Sequence, residues 1–171
     1  ENEKCIRRGE IYFYSYYRTK NYIANDNVKL LELSIREFRK AVDIDPSPRA
    51  ITNLAVAKMA YGFLDSREAN IKDMIRDVVG MLEGIISAYP MYIMAYVNLG
   101  ILHMRVRNYN DALAVFVTTL KLIKDNNGYI DPWCLHNRDL DLFNKLLRRP
   151  LNLNLLLLCK GEETRALDNI G

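Results

Sequence analysis

Ala50, Asn53, Leu54 and Met59 recur 45 residues later as Ala95, Asn98, Leu99 and Met104, with Ala55 matched by Gly100. A chain that repeats its spacing over such a distance reuses one supersecondary unit, each copy burying its apolar face against the next. The punctuation repeats as well: Phe38 stands eight residues before Pro46, and Leu82 eight before Pro90.

The unit is helical. From Leu30 to Ile44 the apolar residues Leu30, Leu31, Leu33, Ile35, Phe38, Ala41, Val42 and Ile44 leave Glu32, Arg36, Glu37, Arg39, Lys40 and Asp43 mostly on the opposite face. That is the three- and four-residue periodicity of an amphipathic helix, and Pro46 stops it. A second run covers Ala50 to Leu64; Asp65 and Glu68 then have capping-box spacing, and a third run reaches Tyr89 and stops at Pro90. Asn25-Asp26-Asn27 and Asp65-Ser66 mark the tips between helices. Asp131 with Pro132 opens a further helix that ends near Pro150. With only eight glycines and five prolines in 171 residues, the chain reads as all-α. It is expected to form one domain over 1–171, an antiparallel helix-pair array of about eight helices.

At this point the sequence resembles the tetratricopeptide repeat, a helix pair with the pattern Trp-x2-Leu-Gly-x2-Tyr, then Ala-x3-Phe, then Pro. The best match is Tyr96-x2-Leu99-Gly100-x2-His103 followed by Ala112-x3-Phe116, with Pro90 closing the unit before it. Ser34, Phe38, Ala41 and Pro46 resemble the second half of a first unit, whose first half is Cys5 to Tyr12 with Gly9 as the small residue. The middle unit reads Leu54-Ala55, then Val78-x3-Leu82, then Pro90. Units of about 5–46, 48–90 and 93–125 follow, with capping or interface helices over 131–170. From Gly100 to Phe116 is 16 residues, but Gly9 to Phe38 is 29 and Ala55 to Leu82 is 27, so the first two units carry longer helices or protruding tips. The resemblance implies that Gly100 and Ala112 let paired backbones approach, while Leu and aromatic residues fill the space between pairs.

The resemblance also implies a concave groove on the first helix of each pair. Its positions are Met94, Val97, Asn98, Ile101, Met104 and Arg105 in one unit and Arg49, Thr52, Asn53, Val56, Met59 and Ala60 in the unit before. An asparagine at the same place in both, Asn53 and Asn98, can donate to and accept from a peptide backbone. The basic neighbours that clamp a C-terminal carboxylate in chaperone-binding members are not reproduced; only Arg49 and Arg105 are basic. Methionine with valine and isoleucine describes an adaptable apolar groove suited to an amphipathic helix. The expected function is a non-catalytic protein-interaction scaffold. The alternatives are a carrier of a small hydrophobic ligand in a transport or envelope complex, and an RNA-binding helical-repeat protein.

Other chemistry finds little support. His103 sits at an aromatic position of the repeat and is expected to be packed, and no nucleophile and base are paired in sequence. Cys134-x-His136 with Asp139 and Asp141 lacks the paired cysteines of a zinc site. No phosphate loop or hydrolase motif is present, so no catalytic residue, metal or cofactor is expected. Lys and Arg total 24 against 21 Asp and Glu, a net charge of +3, and Arg36, Arg39 and Lys40 are interleaved with Glu32, Glu37 and Asp43. Nucleic acid is therefore a disfavoured partner. Tyr12, Tyr14, Tyr16, Tyr17 and Tyr22 crowd the first helix on both faces, so some are exposed. Three unpaired cysteines favour a reducing, cytoplasmic compartment, and no window reaches the roughly 18 apolar residues of a membrane span. Leu151, Leu153, Leu155, Leu156, Leu157, Leu158 and Cys159 would surround a helix on every side. Their cover is the chain's own groove, a further segment or a second copy, and a homo-oligomer through Leu153, Leu156 and Leu157 is the simplest of these.

Overall fold

The computed structural model describes residues 1–19, 24–64 and 68–124. They form six helices: α1 (Asn2–Thr19), α2 (Ala24–Ile44), α3 (Pro48–Gly62), α4 (Glu68–Ala88), α5 (Ile93–Arg105) and α6 (Tyr109–Lys124). The chain is all-α over these residues, and the helices pack as sequential antiparallel pairs, each against the next, with α3 also touching α5. The helices expected over 131–170 lie outside the described residues. Helices α1 to α4 have 18, 21, 15 and 21 residues against 13 and 16 for α5 and α6, so extra length in the first two pairs goes at least partly into helix. Because α2 begins at Ala24, Asn25, Asp26 and Asn27 belong to its first turn and not to the connection expected there. The tip expected at Asp65-Ser66 falls outside the described residues.

Local chemistry sets the helix ends. Ser47, extended at φ −67° and ψ 152°, accepts the Ala50 N–H on its hydroxyl, and Pro48 fills the first helical position, where a missing N–H costs nothing. The end of α5 is tighter. Arg107 N–H donates to the Met104 carbonyl at 3.1 Å and Asn108 N–H to the His103 carbonyl at 2.8 Å, the two bonds of a Schellman cap. That cap holds Arg107 at φ 62°, the left-handed region that a side chain disfavours.

Within the outer pairs, backbone meets aromatic ring. A Cβ added at Gly9 would lie 2.6–2.8 Å from ring atoms of Phe38, and one added at Gly100 would lie 2.5–2.9 Å from those of Phe116. Neither position has room for a methyl group. Ser34 and Ala112, one turn before the two rings, are fully buried, and the Ser34 hydroxyl donates to the Gly9 carbonyl at 2.9 Å. The middle pair has Ala55 and Leu82 at these places, both fully buried: a methyl gained on one helix is matched by a smaller side chain on the other.

The interior divides into two clusters. Cys5, Ile6, Phe13, Tyr16, Leu31, Phe38 and Ala41 join Leu54, Val56, Ala57 and Ala60 of α3 in one. Ala55 and Met59, on the same helix, join Val78, Leu82, Leu99, Leu102 and Phe116 in the other. Helix α3 therefore stands between both clusters. Its alanines suit that place, since a helix buried on all sides is apolar on all sides and small side chains let its neighbours close in.

Two stability measurements test this packing. Gly100→Ala is expected to lower the unfolding free energy by about 1–3 kcal/mol, because the new methyl displaces the Phe116 ring. Gly84→Ala, where a Cβ meets nothing within 4 Å, should raise it by about 0.5–1 kcal/mol through helix propensity. Urea titrations giving the same sign at both sites would refute the close approach. At the α5 cap, Arg107→Gly should stabilise by about 0.5–1 kcal/mol by relieving the left-handed backbone. A lower thermal midpoint for that variant would show that the Arg107 side chain contributes more than its backbone costs.

Candidate functional site

The predicted groove positions lie on α3 and α5, two helices in contact, but they do not form an open surface. Thr52, Asn53 and Met59 are fully buried, and Val56, Met94, Val97, Asn98, Ile101 and Ala60 nearly so. Met104 is half-buried and Arg105 is exposed. A partner can reach the apolar positions only by exposing side chains that are covered in this conformation. The Asn98 amide donates to the Met94 carbonyl one turn back on its own helix at 2.8 Å, so one of its donors is already committed. Asn53, 45 residues earlier, occupies the matching place on α3. The Thr52 hydroxyl is buried beside it with no hydrogen-bond partner among the described residues.

The two basic groove residues are also engaged. Arg49 joins α3 to α1 through Glu10 at 2.7 Å and Glu3 at 3.5 Å. The Arg105 guanidinium stands over the Phe63 ring, 5.1 Å from its centroid, a cation–π contact. Sequence spacing missed both, because each partner is distant in sequence, Glu3 and Glu10 on α1 and Phe63 at the C-cap of α3. His103, expected to be packed, is half-buried in the last turn of α5. Leu153, Leu156 and Leu157, predicted as an oligomer interface, lie outside the described residues, as do Cys134 and His136.

Open concavities lie elsewhere. A cleft of about 450 Å³ forms where the α2–α3 turn at Ser47 and Pro48 faces the α4–α5 turn at Tyr89, Pro90 and Met91, and its walls are almost wholly apolar. A second, of about 560 Å³, runs between α2, α3 and α4 past Ile35, Arg39, Tyr61 and Met74, with the Lys58–Asp77 ion pair in its wall. A third, of about 400 Å³, lies on α1 beside Ile11 and Tyr14, both exposed. Tyr16 is buried, so the tyrosines of α1 do divide between faces.

Electrostatics concentrate on the first pair. The Glu37 side chain on α2 is 4% exposed and is met by Lys40 at 2.8 Å, Arg8 of α1 at 3.1 Å and Arg36 at 3.8 Å. The Lys40 hydrogen bond, helped by the charges of Arg8, Lys40 and Arg36, holds its carboxyl below the usual carboxylate range against the opposing effect of burial. Arg8 is itself pushed upward, first by its contact with the Cys5 thiol at 3.5 Å and then by Glu37. Arg7 pairs with Glu3 and Arg76 with Asp73, so several exposed arginines are balanced by acids on their own helices. Among the described residues no group of three His, Cys, Asp or Glu could hold a metal ion, and no helix is long and apolar enough to cross a membrane.

Comparison with family models, curated proteins and solved structures gives no match.

Glu37 yields a pH prediction. A depressed folded-state pKa contributes stability that is present above the unfolded carboxylate value and is lost as pH falls through the folded one. Glu37→Gln is expected to cost about 0.5–1 kcal/mol at pH 7, a low figure for charge-assisted bonds because water screens the half-exposed cations. The gap between wild type and variant should close as the solution is acidified below about pH 4. Unfolding curves with a constant gap between pH 7 and pH 3 would show that packing, not charge, is what the substitution removes.

Proposed function

We propose that this chain is a tetratricopeptide-like interaction module that binds a helix or peptide of a partner protein without catalysing a reaction. The observation that carries the reading is the pair of side-chain amides at matching places on adjacent helices, Asn53 at 0% and Asn98 at 1% exposure, each among apolar residues. A side-chain amide both donates and accepts, and a position that carries one in successive units suits recognition of peptide backbone. The repeated glycine-to-phenylalanine contact supports the helix-pair architecture that the reading needs. Met59, Met94 and Met104 add side chains that adapt to more than one apolar ligand surface.

In this reading the partner contributes an amphipathic helix whose apolar face replaces the present cover of α3 and α5. Its backbone carbonyls or polar side chains meet the two amides, and apolar area supplies most of the affinity. Because the face is covered, binding requires a prior opening, and association is slower than for a preformed groove.

The test uses amphipathic peptides selected from a displayed helical library against the full chain. For a selected peptide, Asn53→Ala with Asn98→Ala should weaken binding by about 1–3 kcal/mol, roughly tenfold or more in Kd. Arg39→Ala, on the exposed face of α2, should leave it unchanged. Equal affinity for wild type and the double variant, with helix content preserved by circular dichroism, would remove these residues from the site.

A further inference from the structure

The cleft between α2, α3 and α4 takes one face from each of three helices. Ile35, Arg36 and Arg39 of α2 stand on one wall, and Met74 with Asp77 of α4 on the other. Helix α3 passes between them and supplies the floor. At Gly62 the floor has no side chain, and Met74 fills the place, since a Cβ there would lie 2.6 Å from the Met74 Cγ. Ile35, Tyr61 and Met74 are all half-buried, so each keeps apolar surface open to a ligand. At about 560 Å³ the cleft has the volume of a small-molecule site.

Its acids are engaged, and two of its cations are not. Glu32 accepts the Tyr61 hydroxyl at 3.3 Å, Asp77 pairs with Lys58, and Asp73 pairs with Arg76 at 2.7 Å. Arg39, by contrast, makes no hydrogen bond or ion pair among the described residues. Arg36 approaches only Glu37, at 3.8 Å, and that carboxylate is already held by Lys40 and Arg8. Both guanidiniums are exposed and stand three residues apart on one helix, close enough to converge on a single oxyanion. From Glu32 to Arg39 the wall runs about 10 Å, room for a two-ring body beside them.

We propose that this cleft binds a small aromatic monocarboxylate, with the ring on Ile35, Tyr61 and Met74 and the carboxylate between Arg36 and Arg39. A thioether and a phenol ring suit an aromatic body, and a guanidinium suits a carboxylate. One negative charge is favoured over two. A phosphate dianion would gain from the arginines but would be repelled by Glu32, Asp73 and Asp77 around it. Neither α5 nor the amides of Asn53 and Asn98 line the cleft, so this site stands apart from the peptide-binding face and does not depend on it.

Titration calorimetry of the full chain with naphthoate at pH 7 tests the assignment. The expected Kd is on the order of 0.1–1 mM, as befits a ligand of this size. Naphthamide, the uncharged isostere, should bind at least about fivefold more weakly, and naphthyl phosphate no more tightly than naphthoate. Arg36→Gln with Arg39→Gln should weaken naphthoate by about tenfold with helix content retained, whereas Arg18→Gln on α1 should leave it unchanged. Methionine-methyl NMR reads the location: the ring current should move the Met74 methyl and not that of Met91, which lines the cleft between the two turns. No saturable binding, equal affinity for acid and amide, a tighter phosphate complex, indifference to the two arginines or a response at Met91 in place of Met74 would each overturn the proposal. Peptide titration and naphthoate titration read different sites, so the two readings can fail separately.

Discussion

The closeness of two backbones within a helix pair is the constraint on which the rest depends. Where Gly9 faces Phe38 and Gly100 faces Phe116, the ring occupies space that any Cβ would claim. Helices that approach this closely bury their apolar stripes fully, and Phe13, Leu31, Leu102 and Ala112 show no exposure at all. The contact also limits rotation about the helix axis, because turning α5 by one residue would carry Gly100 off the ring and bring a larger side chain against it. Asn98 and Met94 are thereby directed to the opposite side.

A second consequence concerns the middle of the stack. Helix α3 serves both interior clusters, and its alanines at 50, 55, 57 and 60 allow neighbours on several sides. A helix so placed has no purely solvated face, which explains why polar residues on it are either short, as Thr52 and Asn53, or tied down, as Arg49 by Glu10 and Glu3. Charge does its work at the periphery instead. Glu37 fixes α2 to α1 through Arg8, and Lys58 fixes α3 to α4 through Asp77. The stack is held by apolar area and oriented by these few ion pairs.

The paired helices take up the glycine side, and the proposed reading assigns recognition to the amide side, where Asn53 and Asn98 stand among adaptable apolar residues. A peptide held through backbone and apolar surface needs little sequence identity in the partner.

Much of this was legible in the residues. Periodicity placed α3 and the C-terminal ends of α2 and α4 to within two positions, with Pro46 and Pro90 stopping α2 and α4 whatever surrounds them, but α2 begins six residues before the apolar run read from Leu30. The 45-residue recurrence put Asn53 and Asn98 at matching places, and the glycine and aromatic spacing marked the close approach. Burial was not legible. Spacing assigns a residue to a face of a helix but does not say what lies against that face, and the expected open groove is covered in the folded chain. Nor could spacing pair Arg49 with Glu10, 39 residues away, or set Arg105 over Phe63. The sequence by itself determined local conformation and the angular position of each side chain, because both depend on neighbours within one or two turns. Only the tertiary structure decided exposure and charge pairing, because these depend on which distant helix comes to stand opposite.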